Sequence, residues 1–66
     1  MGEYLINKNI KDFKASYSTT YDSFLLNGTQ YPVLHEYVVE TNEGDWFVLV
    51  DEFDVIVDSY EDIESY

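Results

Sequence analysis

The sequence predicts an α+β fold, a small antiparallel β-meander of three to four strands with one short helix near each end. Three observations indicate this class. Apolar and polar residues alternate from Val33 to Thr41, as in a strand with one buried face. Asn27-Gly28 is the strongest short hairpin pattern, because both residues tolerate positive φ. The apolar run from Trp46 to Val50 is typical of a central strand.

The other strands follow from composition. Residues 16–26 are rich in Ser, Thr and Tyr, which favour a strand over a helix. Residues 42–45 and 51–54 carry the Asn, Gly and Asp that form turns. Val55 to Asp58 is then the last strand, so the meander closes within one unit.

Capping patterns predict the two helices. Asn9 is a suitable N-cap for a short helix at roughly residues 10–15. Ser59 with Asp62 resembles a capping box, which predicts a single C-terminal helical turn that includes Ile63.

Length and composition indicate one domain, residues 1–66, near the lower size limit for independent folding. The chain has no cysteine, so it forms no disulfide and no thiolate metal site. Its first residues lack the basic and apolar regions of a signal peptide, and no apolar run reaches bilayer length. We therefore expect a cytoplasmic protein, in the host cell if a phage encodes it.

Charge is divided unevenly along the chain. The net charge is −11, yet residues 1–35 sum to zero because three acids match three lysines. Residues 36–66 contain no Lys, Arg or His, and they hold 11 carboxylates: Glu36, Glu40, Glu43, Asp45, Asp51, Glu52, Asp54, Asp58, Glu61, Asp62 and Glu64. Solubility alone needs a net charge of about 2–8 in magnitude, so this excess favours a binding role.

Catalysis and metal binding find little support. His35 is the only histidine, and no serine lies in a Gly-x-Ser-x-Gly elbow, so we predict a packed strand histidine and no enzyme. A calcium loop that started at Asp51 would need glycine where Ile56 stands. The sequence therefore predicts no cofactor and no metal.

The sign of the charge constrains the partner. Three lysines and no arginine do not offset 14 acids, so direct binding to nucleic acid or to anionic lipid is excluded. A basic, nucleic-acid-binding protein would instead attract this chain.

An acid–aliphatic–acid pattern occurs twice at strand spacing, and we predict that it forms one acidic face. Side chains on one strand face recur about every 6.6 Å. Successive phosphates along a nucleic-acid strand are spaced at roughly twice their axial rise of about 3.4 Å, so the two spacings are comparable. The predicted partner-binding residues are Glu36, Val38, Glu40, Glu52, Asp54, Ile56 and Asp58. The opposite parity is assigned to the core: Tyr37, Val39, Phe53, Val55 and Val57.

The acidic meander of residues 33–66, with its interleaved Tyr and Val, resembles small phage or mobile-element inhibitors that mimic DNA. These are the uracil-DNA glycosylase inhibitors, the antirestriction proteins and several anti-CRISPR proteins. The resemblance covers size, charge and strand pattern over about half the chain, and no motif carries over residue by residue. It implies a viral inhibitor that blocks the nucleic-acid groove of a host enzyme, either a glycosylase, a nuclease or a CRISPR effector.

Other interpretations stay open at this point. An immunity protein or antitoxin against a basic toxin would have the same chemistry, and so would an acidic accessory or structural binding module. The acidic face is alternatively a solvated outer surface with scattered aliphatic residues. Residues 17–31 have few charges, so this edge is where a second copy would pair to form a homodimer.

Overall fold

The computed structural model describes residues 2–61, and it is a four-stranded antiparallel sheet in sequence order. The strands are β1 (Ala15–Leu26), β2 (Thr29–Thr41), β3 (Gly44–Val50) and β4 (Ile56–Glu61). The prediction of Trp46 to Val50 as a central strand is confirmed, since β3 pairs with β2 on one side and with β4 on the other.

The α+β class is wrong, because residues 2–61 contain no α-helix and the fold is essentially all-β. Two short 3-10 turns, Gly2–Leu5 and Ile10–Asp12, take the place of the expected N-terminal helix. Asn9 does cap the second turn, and its side chain accepts a hydrogen bond from the Lys11 amide at 2.9 Å. The turn ends because Phe13 is already extended (φ −128°, ψ 158°), so the chain leaves directly for β1.

The second predicted helix also fails at its proposed start. Ser59 lies inside β4, where it is opposite Val48, so it is a strand residue and not an N-cap. Asp62 and Ile63, the other residues of that prediction, lie outside the described part of the chain.

Turn chemistry fixes the first hairpin as expected. Asn27 and Gly28 form its two-residue loop with φ of 51° and 82°. Positive φ at both central positions is the type I′ geometry, whose twist matches that of the flanking strands. The Asn27-Gly28 prediction is therefore confirmed.

Asp51 organises the connection between β3 and β4. Its side-chain oxygen Oδ1 accepts hydrogen bonds from the amides of Phe53 (2.9 Å) and Val55 (3.0 Å). Its own amide donates to the Val55 carbonyl at 2.9 Å. Asp54 completes the turn in the left-handed region, with φ of 68°.

The hydrophobic core lies on one face of the sheet, beneath the N-terminal segment. That segment is fixed to the start of β4 by three backbone hydrogen bonds: Asn7 to Ile56 (2.7 Å), Ile56 to Lys8 (2.8 Å) and Ile10 to Asp54 (2.9 Å). The buried core residues are Leu5, Ile10, Val39, Trp46, Val48, Val50 and Ile56. Phe13, Ala15 and Tyr37 pack against them.

The outer strands of the sheet are β1 and β4. The edge predicted to pair with a second copy therefore falls on an outer strand, as that hypothesis requires. A bulge between Tyr17 and Thr19 and a left-handed Ser23 (φ 52°) interrupt this edge. Such irregularities hinder edge-to-edge pairing, and the homodimer stays a prediction.

Candidate functional site

The candidate site is the sheet face opposite the core. Residues paired across antiparallel strands share a face, so the register defines its members. They are Ser16, Thr19 and Tyr21 from β1; Leu34, Glu36, Val38 and Glu40 from β2; Asp45, Phe47 and Leu49 from β3; and Asp58 and Tyr60 from β4. We call this surface the open face, and its members range from buried (Leu34, Glu36 and Leu49) to exposed (Glu40 and Asp45).

Glu36 is the central residue of the open face, and it is only 7% exposed. The Tyr21 hydroxyl donates a hydrogen bond to its Oε1 atom at 2.9 Å. That hydrogen bond and the negative charge of Glu36 raise the pKa of Tyr21 above its usual 10.0. A buried carboxylate usually pairs with a cation, whereas here a neutral hydroxyl holds it.

Tyr60 lies on the same face as Glu36, on the edge strand β4. Burial raises the pKa of Tyr60, and the charge and hydrogen bonding of Glu36 raise it further. Glu36 lies in β2 and Tyr60 in β4, with β3 between them. Leu49 lies on β3, opposite both Glu36 and Asp58, and it is only 6% exposed.

Apolar and aromatic side chains surround this arrangement. Phe47 and Tyr60 are cross-strand partners with stacked rings, 5.4 Å between centroids and 23° between planes. The Tyr21 and Phe24 ring centroids lie 5.3 Å apart. Leu34, the cross-strand partner of Tyr21, is fully buried. The open face is therefore amphipathic, and its polar groups are carboxylates and hydroxyls.

Three further carboxylates lie on the open face around Glu36. Glu40 and Asp45 are exposed cross-strand partners, and Asp58 is half-buried on the edge strand β4. The Lys14 Nζ atom lies 3.6 Å from Glu40 Oε1, at the margin of the face. Lys8 and Lys11 belong to the N-terminal segment that covers the core, so within residues 2–61 the charged groups at the centre of the open face are carboxylates.

The structure brings together four of the predicted site residues. Glu36, Val38 and Glu40 share the open face, and Asp58 joins them from β4, two strands from Glu36. Strand spacing of about 4.8 Å places Asp58 about 10 Å from Glu36.

The second acid–aliphatic–acid pattern does not form a face. The register shifts between Leu49 and Val50, so Leu49 faces Asp58 while Val50 faces Ile56. This β-bulge makes Val57 an extra residue, and Ile56 and Asp58 point to opposite sides. Ile56 is a core residue with no exposure, so its predicted place among the acids is wrong.

Glu52 and Asp54 lie in the β3–β4 turn and not on the open face. Glu52 is exposed, and Asp54 Oδ2 lies 3.4 Å from Lys11 Nζ. Phe53, predicted for the core, is 73% exposed at the same turn. The turn interrupts the alternation, because its residues do not follow a strand's two-residue period.

Sequence reasoning missed Tyr21, Phe47, Tyr60, Asp45 and Leu49 as members of the site. Asp45, Phe47 and Leu49 alternate along β3, so their shared face carried a signal within one strand. The two tyrosines meet Glu36 through the registers of three strand pairs, which a pattern within one strand does not contain.

His35 on β2 takes part in a chain of side-chain hydrogen bonds with β1. Its Nδ1 atom lies 2.9 Å from the Thr20 Oγ1 atom, which in turn lies 2.8 Å from the Tyr17 hydroxyl. This part-buried chain of hydrogen bonds lies on the core side of the sheet. Among the described residues, no three His, Asp or Glu side chains group closely enough to hold a metal ion.

Comparison with known proteins adds no family. No family model matches the chain, and neither a curated protein nor a solved structure gives a significant match. Over the described residues, no helix is both long and apolar enough to cross a membrane.

Proposed function

We propose that this chain is a protein inhibitor that occupies the nucleic-acid-binding groove of a basic host enzyme through its open face. In this role the carboxylates stand in for phosphates, and the enzyme is a glycosylase, a nuclease or a CRISPR effector. The inhibitor acts in the cytoplasm of the host cell and performs no catalysis. One observation supports the proposal: the open face combines four carboxylates with two exposed tyrosines and the half-buried Val38 and Phe47.

The geometry of the carboxylates supports this role. Glu36 and Glu40 are four residues apart on one strand, which corresponds to about 13 Å. Successive phosphates are roughly twice their axial rise of about 3.4 Å apart, so this distance corresponds to about two phosphate steps. Because the carboxylates are held on a sheet, little ordering is needed when the partner binds.

The apolar surface supports a protein partner over a simple counterion atmosphere. Val38 and Phe47 are cross-strand partners on the open face and are half-buried, so they still present area to a partner.

Electrostatic steering should govern how the partner is found. Surfaces of opposite charge raise the association rate, and this effect falls steeply with ionic strength. We expect capture from a bacterial lysate at low salt to retain basic nucleic-acid-binding proteins, and high salt to release them.

Competition with DNA distinguishes this function from the alternatives. A groove-blocking inhibitor and double-stranded DNA exclude each other from the captured enzyme. An immunity protein or antitoxin that binds away from the groove would instead form a ternary complex with the toxin and its nucleic acid. Capture of no basic protein at low salt would contradict the proposal and favour an accessory role for the charge.

A further inference from the structure

The strongest unexplained feature of the open face is the environment of Glu36. Glu36 is only 7% exposed, yet among the described residues its cross-strand partners are Thr19 and Leu49, its hydrogen-bond donor is Tyr21, and no cation pairs with it. Burying a carboxylate without a cation is costly. The cost is understandable if the cation comes from a partner.

One hydroxyl holds Glu36 in place without neutralising it. Tyr21 donates a hydrogen bond to it from β1, and Tyr60 on β4 is close enough for the Glu36 charge to contribute to its raised pKa. The hydrogen bond from Tyr21 uses Oε1. A carboxylate has lone-pair sites on both oxygens, so it retains capacity to accept from an incoming donor.

An aromatic surface lies beside this carboxylate. The stacked rings of Phe47 and Tyr60 belong to the same face, and Tyr60 is 43% exposed. Asp58 lies one row away, opposite Leu49 and on the same strand as Tyr60. A carboxylate next to an aromatic face matches the two recognition modes of a guanidinium group, which donates in a fixed fork and stacks on rings.

We propose that Glu36, with Tyr60 and Phe47, forms the anchor site for one arginine side chain of the basic partner. This inference rests on the proposed function and names the group that the open face recognises. The guanidinium stacks on the Phe47–Tyr60 surface and donates to the Glu36 and Asp58 carboxylates. A lysine ammonium has neither the plane nor the fork, so the site discriminates arginine from lysine.

The test uses two defined probes, an oligoarginine and an oligolysine peptide of equal length, titrated into the full chain by calorimetry at one salt concentration. The readout is the ratio of the two dissociation constants. Glu36→Gln keeps the size of the side chain and the acceptor for Tyr21 but removes the charge. Glu40→Gln is the matched control, since it removes one carboxylate from the same face at an exposed position.

We expect Glu36→Gln to weaken binding of the arginine peptide by about tenfold, as for loss of a hydrogen bond to a charged group. The preference for arginine over lysine should then fall, whereas Glu40→Gln should weaken both peptides equally and keep the preference. Phe47→Leu should also reduce the preference if stacking contributes. Circular dichroism and thermal unfolding establish that each variant is folded.

Equal effects of Glu36→Gln and Glu40→Gln on the arginine preference would overturn the anchor site. That outcome leaves the proposed function standing if DNA still competes with the inhibitor for its captured enzyme. Conversely, an inhibitor that binds its enzyme together with DNA overturns groove blocking even where the arginine preference depends on Glu36.

Discussion

Residues that are close in sequence in the acidic half of the chain differ sharply in burial. Ile56 is fully buried in the core, and Phe53, three residues earlier, is largely exposed. Burial of Ile56 therefore contributes to stability, whereas truncation of Phe53 removes little buried surface.

Truncating these two residues should give opposite results. We expect Ile56→Ala to lower the free energy of unfolding by about 2–5 kcal/mol, since it removes buried methyl groups and leaves a cavity. Phe53→Ala should change it by less than about 0.5 kcal/mol. Ile56→Val, at about 0.5–1.5 kcal/mol, gives a graded variant if the alanine variant does not fold. Urea unfolding measures all three, and equal losses at both positions would contradict the assignment of Ile56 to the core.

The tyrosines that flank Glu36 predict an alkaline limit to stability. Folding raises the pKa of Tyr21 and of Tyr60 above the unfolded value of 10.0, so it favours their protonated forms. Their contribution is complete below pH 10.0 and is lost as pH rises through the folded pKa values.

Urea unfolding across this alkaline range should show the loss in the wild-type chain. Glu36→Gln should lose less stability than wild type between neutral pH and the alkaline range, because it removes the charge that raises both pKa values. Tyr60→Phe should reduce the loss for a second reason, since it has no hydroxyl to ionise. An identical alkaline loss in all three chains would contradict the convergence of both tyrosines on Glu36.

At the scale of single elements, turns and bulges set the registers that build the open face. The β1–β2 turn requires positive φ at Gly28 (82°), and a Cβ there would meet no atom within 4 Å. A side chain at position 28 would therefore destabilise the fold through backbone strain at positive φ, and not through a steric clash.

We expect Gly28→Ala to destabilise the chain by about 1–2 kcal/mol through left-handed strain. Asn27→Gly, at a neighbouring position with φ of 51°, should be tolerated because glycine adopts this conformation readily. Thermal unfolding of the two variants makes the comparison. If Gly28→Ala is as stable as wild type, the turn is not of type I′.

The same elements show how much the sequence could predict. The Asn27-Gly28 hairpin and the shared face of Glu36, Val38 and Glu40 follow from local patterns, because β2 alternates without interruption, whereas the order of the strands in the sheet does not. The parity of Ile56 could not be predicted, since it depends on a bulge at Val57 that no Gly or Pro marks. The expected N-terminal helix is absent because packing of Ile10 against the sheet and extension at Phe13 leave only a 3-10 turn.

For the whole molecule, the net charge of −11 opposes folding through self-repulsion. Among the described residues, the exposed ion pairs Lys11–Asp54 and Lys14–Glu40 oppose this only weakly, at about 0–1 kcal/mol each. Salt screens repulsion and attraction alike, and with 14 acids against three lysines we expect the loss of repulsion to be the larger effect.

We therefore expect the melting temperature to rise with added sodium chloride. A gain of about 1 kcal/mol corresponds to about 4–8 °C in a domain of this size. Scanning calorimetry at low and high salt measures the change. A melting temperature that falls with salt would mean that the ion pairs outweigh the repulsion.

The most direct measurement compares two double charge reversals for binding to the enzyme captured from lysate, in competition with double-stranded DNA. Glu40→Lys with Asp58→Lys alters the open face, and Asp12→Lys with Glu52→Lys makes the same charge change in the N-terminal segment and the β3–β4 turn. We predict that the first pair abolishes the ability of the chain to displace DNA, while the second weakens it only modestly by reducing long-range attraction. Equal loss in both double variants would contradict recognition through the open face, because it would mean that only the total charge matters.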